Sequence, residues 1–138
     1  MYTKINEKDS AMKLGAIYSK EKTTFTLFSP VADSVFVIFY DKGNDSAEKG
    51  RLEMMRGEGE LRSIFSATAE GNLDGVYYTY EVHTSDGTFS SHDPYARACG
   101  VNGHRSMVID LSKTDPDGFA DEDRPKLADP MSMVITEV

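Results

Sequence analysis

The run Gly75-Val76-Tyr77-Tyr78-Thr79-Tyr80-Glu81-Val82 constrains the fold of this chain more than any other stretch. Behind its opening glycine it holds only aromatic and β-branched side chains apart from one glutamate, a composition that favours a strand. Strand side chains alternate, so Val76, Tyr78, Tyr80 and Val82 share one face, while Tyr77, Thr79, Glu81 and His83 share the other. The first set is expected in a core and the second partly in water. Thr84-Ser85-Asp86-Gly87 then supplies hairpin chemistry, because Asp-Gly reaches positive φ cheaply. A short return strand, Thr88 to Ser91, ends at Asp93-Pro94, where the missing proline N–H stops sheet pairing.

The upstream sequence supplies partners for this hairpin. Leu14 to Tyr18 and Thr23 to Phe28 read as short strands, the second closed by Ser29-Pro30. Ser34 to Tyr40 is apolar on both faces, as expected of a central strand covered on each side. Asp41 to Lys49 is a polar loop, Arg51–Met55 and Leu61–Ala67 are weaker strands, and Ala69 to Asp74 is a turn. Ser106 to Leu111 reads as a last strand. Strands of this length, punctuated every ~8–12 residues by turn residues, predict an all-β, antiparallel sandwich of the immunoglobulin-like, early-set type. The expected organisation is a loose lead-in over 1–13, the sandwich over 14–111, a linker over 112–132 rich in proline and aspartate, and an unpartnered apolar run over 133–138. An orphan strand of that kind implies that a following domain has been cut away.

Composition narrows the partners. The formal charge of −8, from 15 basic and 23 acidic residues, repels phosphate backbones and anionic lipid, so neither nucleic acid nor membrane is expected. A single cysteine, Cys99, excludes an internal disulfide and suits a reducing compartment. The first residues lack the apolar core of a signal peptide, and no apolar run approaches membrane-spanning length, so a cytoplasmic location is expected.

Several segments, in order, resemble the N-terminal region of type I pullulanases, the α-1,6-glucan debranching hydrolases. They are LGAIYSKEKTTFTLFSP (Leu14–Pro30), GVYYTYEV (Gly75–Val82), DPYARACGVNG (Asp93–Gly103), MVIDLSKTDPDGF (Met107–Phe119) and the closing VITEV. The resemblance implies a glycogen-binding-type sandwich of carbohydrate-binding family 48, followed by a catalytic (β/α)8 barrel that begins within residues 133–138. It implies no cofactor and no catalytic residue in this chain. Retaining glycoside hydrolysis needs two carboxyl groups ~5 Å apart on a rigid cleft, and the barrel supplies them. The implied partners are that barrel and α-glucans. The implied carbohydrate-binding residues are Phe89, which follows the Asp-Gly turn, and Asn102, in the loop before the last strand. Binding members carry tryptophan where Phe89 stands, and a phenyl ring offers less stacking area and no N–H donor. Phe89 packing internally and Asn102 building a turn with Gly103 is the competing reading of the same two residues.

Other chemistry is weaker in the sequence. Tyr77 lies opposite the core face, where it is either a sugar platform or a surface half-buried against a neighbouring domain. Asp115-x-Asp117-Gly118 begins like a calcium loop but lacks its later ligands, and His83, His92 and His104 have no zinc spacing, so no metal is expected. Ser91-His92-Asp93 places neighbours on opposite sides of a strand end and forms no relay. Two rival readings of function stay open at this point: a self-sufficient glycogen- or starch-binding module, and a protein-interaction sandwich with no sugar ligand.

Overall fold

The computed structural model describes residues 13–123 together with 126, 129, 131, 133 and 134. The lead-in before Lys13 and the last four residues of the expected barrel strand lie outside the described residues. Ten strands form: β1 Gly15–Tyr18, β2 Lys22–Phe28, β3 Ser34–Tyr40, β4 Glu48–Glu53, β5 Met55–Arg56, β6 Ile64–Glu70, β7 Tyr77–Thr84, β8 Gly87–Ser91, β9 Ala98–Cys99 and β10 Ser106–Met107. All pairings are antiparallel. The smaller sheet has the order β1-β2-β6-β5 and the larger the order β4-β3-β7-β10-β9. On its outer flank β7 holds β10 against Tyr77 and Tyr78, and β8 against Tyr80 to Thr84.

The tyrosine strand sits where its alternation puts it. Tyr78 and Tyr80 are fully buried, and Val82 packs against the core they share with Phe25, Leu27, Val35, Val37, Phe65 and Val108. Each such side chain contributes roughly 1.5–3 kcal/mol by leaving water. Edge-to-face ring contacts run from Phe39 through Phe25 to Tyr78 and Tyr80, with centroids 5.7, 5.0 and 5.8 Å apart. That geometry sets the positive rim of one ring against the negative face of the next.

Four local expectations change. Arg51 to Met55 is two strands rather than one: β4 belongs to the larger sheet and β5 to the smaller, and the chain crosses between them at buried Met54. Met54 N–H donates to the Val35 carbonyl at 2.9 Å, which fixes the crossing. β6 starts at Ile64 and continues through Glu70, because Gly59 to Leu61 turns as a short 3-10 segment and residues 64–70 pair in register with the whole of β2. The last strand stops at Met107. Val108 still exchanges backbone hydrogen bonds with the 75–76 backbone, at 2.9 and 3.0 Å, but the Asp110 side chain then caps Ser112 N–H and opens a 3-10 turn. Met133 and Val134 are exposed and outside any strand.

The outer face of β3 is covered without a second layer. Ile38 is buried on that face beside its register partners Arg51 and Thr79. The Arg105 guanidinium lies 3.6 Å from the Tyr40 ring centroid and bonds the Lys42 carbonyl and both oxygens of Ser46 at 2.7–2.9 Å. Long side chains and the 41–47 loop therefore take the place of the layer that the sequence pattern implied.

Candidate functional site

Two tyrosines on one inner face bring two hydroxyls into a region without water, and each needs an acceptor. Asp93, 2% exposed, provides it. Its Oδ2 accepts from Tyr78 Oη at 2.7 Å and Tyr80 Oη at 3.2 Å, and its Oδ1 accepts from the Tyr95 backbone N–H at 2.8 Å. The Asp93 N–H donates to Ser106 Oγ at 2.8 Å, which ties the loop to β10. Burial first, and the neighbouring Asp93 charge second, push both phenols far above the usual tyrosine range, so both stay protonated donors.

The loop also meets β1. A Cβ on Gly15 would lie 2.9 Å from Tyr95 Cβ and 3.1 Å from the Tyr95 carbonyl, and Gly15 has φ +89°, so only glycine fits there. Asp93 thus closes the flank of the sandwich between β1 and β7. In the sequence it reads only as a turn residue before proline, since its partners are 13 and 15 residues away.

This closure positions the turn that carries Asn102. β9 and β10 pair as Cys99 with Ser106 and Ala98 with Met107, and a 3-10 turn over Val101–Gly103 connects them. Asn102 itself is left-handed, with φ 53° and ψ 22°, a conformation asparagine tolerates better than most residues. It is exposed and lines a cleft of about 400 Å³ together with His92, Arg97, Cys99, Gly103 and Ser106.

Phe89 stands elsewhere. It lies directly opposite Val82, so it shares the face of the core tyrosines rather than that of Glu81 and His83. It is nonetheless 54% exposed, and its ring reaches back to within 4.0 Å of where a Gly87 Cβ would sit. Phe89 does not line the Asn102 cleft. Phe89 is held opposite Val82 on β7, whereas Asn102 sits in the turn between β9 and β10, in a cleft that also takes His92 from just beyond the end of β8.

Tyr77 is covered by its own chain. A Cβ on Gly43 or on Gly100 would approach its Cε1 to 3.1 Å, and these two backbones meet above the ring so closely that a Cβ on Gly100 would be 2.6 Å from Gly43 Cα. Tyr77 is therefore half-buried, with the Gly43 and Gly100 backbones against the Cε1 edge of its ring. Beyond it on the same face, Glu81 accepts from Arg51 at 3.3 Å and meets His83 Nε2 at 3.0 Å, Thr88 Oγ1 meets His83 Nδ1 at 3.1 Å, and the His83 ring stands edge-on to Phe36 at 5.5 Å.

Two acidic groups brace the exit from the sandwich. Asp74 and Asp110 come together where the chain leaves the sandwich, the Asp110 N–H donating to Asp74 Oδ1 at 2.8 Å and Lys113 Nζ to Asp74 Oδ2 at 2.7 Å. The Lys113 hydrogen bond, followed by that backbone bond, holds Asp74 below the usual carboxylate range, and the Ser112 hydroxyl does the same for Asp110. Neither keeps the proton that a general acid would need near neutrality. Among the described residues, no group of three His, Cys, Asp or Glu side chains stands close enough to hold a metal ion.

The architecture defines an immunoglobulin-like antiparallel β-sandwich. Residues 13–96 match carbohydrate-binding module 48, the isoamylase N-terminal domain, and the chain belongs to that family. Pullulanase A of Streptococcus pneumoniae serotype 4 is 31% identical over 116 residues, covering 79% of this chain and 9% of that protein. The solved pullulanase from Bacillus acidopullulyticus matches with a TM-score of 0.76 at 34% identity, over 86% of this chain and 14% of its own. A pullulanase from Paenibacillus barengoltzii in complex with maltohexaose and alpha-cyclodextrin matches with a TM-score of 0.77 at 34% identity, over 86% of this chain and 18% of its own. This chain therefore spans about a tenth of the length of the curated relative and under a fifth of either solved one.

Proposed function

We propose that the chain is the non-catalytic accessory domain of a pullulanase-type debranching enzyme, which packs on a catalytic (β/α)8 barrel of the same polypeptide and helps to place α-glucan chains. One observation carries this reading: the chain matches pullulanases at 31–34% identity over most of its own length while filling only 9–18% of theirs. On this reading residues 112–132 are the linker and 133–138 begin the barrel. The unbroken exposure from Leu111 to Asp123 supports the linker assignment.

Phe89 and Asn102 are the residues we assign to glucan. Phe89 supplies an exposed ring for a sugar face, and Asn102 an amide beside a cleft that also holds Arg97 and His92. The cleft is the observation that favours the second reading, a module that binds glycogen or starch without help from a barrel.

Affinity electrophoresis in glycogen and pullulan gels separates the two. A self-sufficient module is retarded, and Phe89→Ala and Asn102→Ala each release it. An accessory domain migrates freely alone, while the intact gene product hydrolyses pullulan. An intact product that neither binds glucan nor cleaves α-1,6 bonds would sink both readings.

A further inference from the structure

The smaller sheet has a second face, turned away from the core. Register places Ile17, Thr24 and Thr68 in one row across it, Gly15, Thr26, Ser66 and Met55 in the next, and Phe28 with Ile64 in a third. None of these nine residues is ionisable, in a chain of which 28% is charged. Charge returns only at the margins, with the Lys22–Glu70 pair at one end of β2 and β6 and Glu58, Glu60 and Arg62 before the other end of β6. Phe28 is 51% exposed and Met55 73%, while Thr26 between them is buried. A centre without charge inside a polar rim is the compositional mark of a protein–protein contact, more so than bulk hydrophobicity.

Size decides what kind of partner fits. Three rows on four strands cover roughly 15 by 15 Å, or about 200 Å². Each partner in a stable complex of free proteins buries ~800 Å². A centre this small holds a partner well only when a tether keeps the local concentration high. A second copy of the chain is disfavoured further, because each copy carries −8. In the matched pullulanases the same fold is part of a chain five or more times its length, which supplies such a tether.

We infer that the outer face of β1-β2-β6-β5 is the seat on which the remainder of the parent polypeptide docks, through a surface of apolar and uncharged residues. The inference rests on the accessory-domain reading and adds to it the face that is used. The larger sheet turns Arg51, Glu53, Glu81 and His83 outward and stays in solvent.

Phe28 and Phe89 make a matched pair for hydroxyl-radical footprinting of the intact gene product, being the same residue type at 51% and 54% exposure. Phe28 and Met55 are expected to be labelled at least fivefold more slowly than in the unfolded product, with Phe36 and His83 on the larger sheet protected no further than the partial cover that Arg51 and their mutual contact already give them. Labelling of Phe28 at the rate its exposure allows overturns the inference, as does protection of Phe36 and His83 instead. Protection lost on dilution identifies a second copy, and protection lost on deleting residues 1–12 identifies the lead-in. Either result overturns it too. Pullulan hydrolysis by the same sample judges the underlying reading separately: activity with an unprotected Phe28 sinks only the docking face, and protection without activity sinks only the debranching assignment.

Discussion

The two sheets turn unlike faces outward although their strands alternate in the same way. On the larger sheet long side chains lie against their neighbours. Arg105 lies over Tyr40, Arg51 bonds Glu48 and Glu81, His83 stands against Phe36, and the Gly43 and Gly100 backbones close over Tyr77. On the smaller sheet, among the described residues, the side-chain hydrogen bond across the face is the one between the Thr24 and Thr68 hydroxyls, at 3.1 Å. The first face is finished by its own chain and the second is left unfinished. An exposed apolar residue alone would not teach this, since such residues are common on any surface. The lesson comes from the absence of charge among the neighbours of Phe28 and Met55.

The contrast can be broken at its shared foundation. Asp93→Ala leaves two buried phenol hydroxyls without an acceptor, and at ~1–3 kcal/mol each it should cost about 3–5 kcal/mol and disturb both faces. Urea midpoints measure it, and a loss under 1 kcal/mol would mean that water replaces the carboxyl group. Substitutions on the finished face rank next. Gly100→Val forces a side chain to within 2.6 Å of Gly43 Cα and should cost roughly 1–3 kcal/mol by overpacking. Arg105→Met keeps an apolar stem over Tyr40 but loses the cation and three hydrogen bonds, for about 2 kcal/mol. If either is neutral, the 41–47 loop is not what covers that face.

On the open face, Thr68→Lys should change the stability of the chain by less than about 0.5 kcal/mol, because nothing but the Thr24 hydroxyl is lost. A cost comparable to Arg105→Met would show that this face is finished after all. The smallest effect is expected from the exposed clasp at the exit of the sandwich. Asp74 and Asp110 both sit below their ordinary value of 3.8 in the folded chain, so they contribute stability above that value and lose it as pH falls through the folded value. Lys113, raised above 10.5 chiefly by its bond to Asp74, contributes below 10.5 and loses its share as pH rises through its folded value. Asp74→Asn should therefore flatten the fall in midpoint on the acid side below about pH 4, an effect weakened by added salt. An unchanged acid limb would show that the clasp is only a geometric feature.

Much of this was legible in the sequence where a local rule and the global fold agree. The alternation of β7 assigned Tyr78 and Tyr80 to the core, Asp86-Gly87 announced the hairpin, and the apolar run 34–40 became a strand with the expected ends. What escaped depended on partners distant in sequence. Arg51 to Met55 alternates well enough for a single strand, and only the bond from Met54 to Val35 on another strand reveals that it changes sheets. Ser106 to Leu111 is apolar enough for a strand, but pairing fails where Asp110 turns its side chain onto Ser112. Asp93 looked like punctuation. The signal that could have found it was the pair of inward tyrosine hydroxyls, which needed an acceptor somewhere downstream. For Phe89 and Asn102 placement was not readable, because the face of Phe89 follows from its pairing with Val82 and the cleft beside Asn102 takes residues from beyond β8 and from β9 and β10.

The crossing at Met54 has a mechanical consequence. One residue separates the edge strand of one sheet from the edge strand of the other, so along that flank the sheets are stitched by covalent bonds and cannot slide past each other. The opposite flank is riveted by Asp93 and by the contact of Tyr95 with Gly15. A shell fastened along both seams has no hinge and cannot gape. Whatever this protein grips, it must grip from outside, as a rigid plate with two unlike sides.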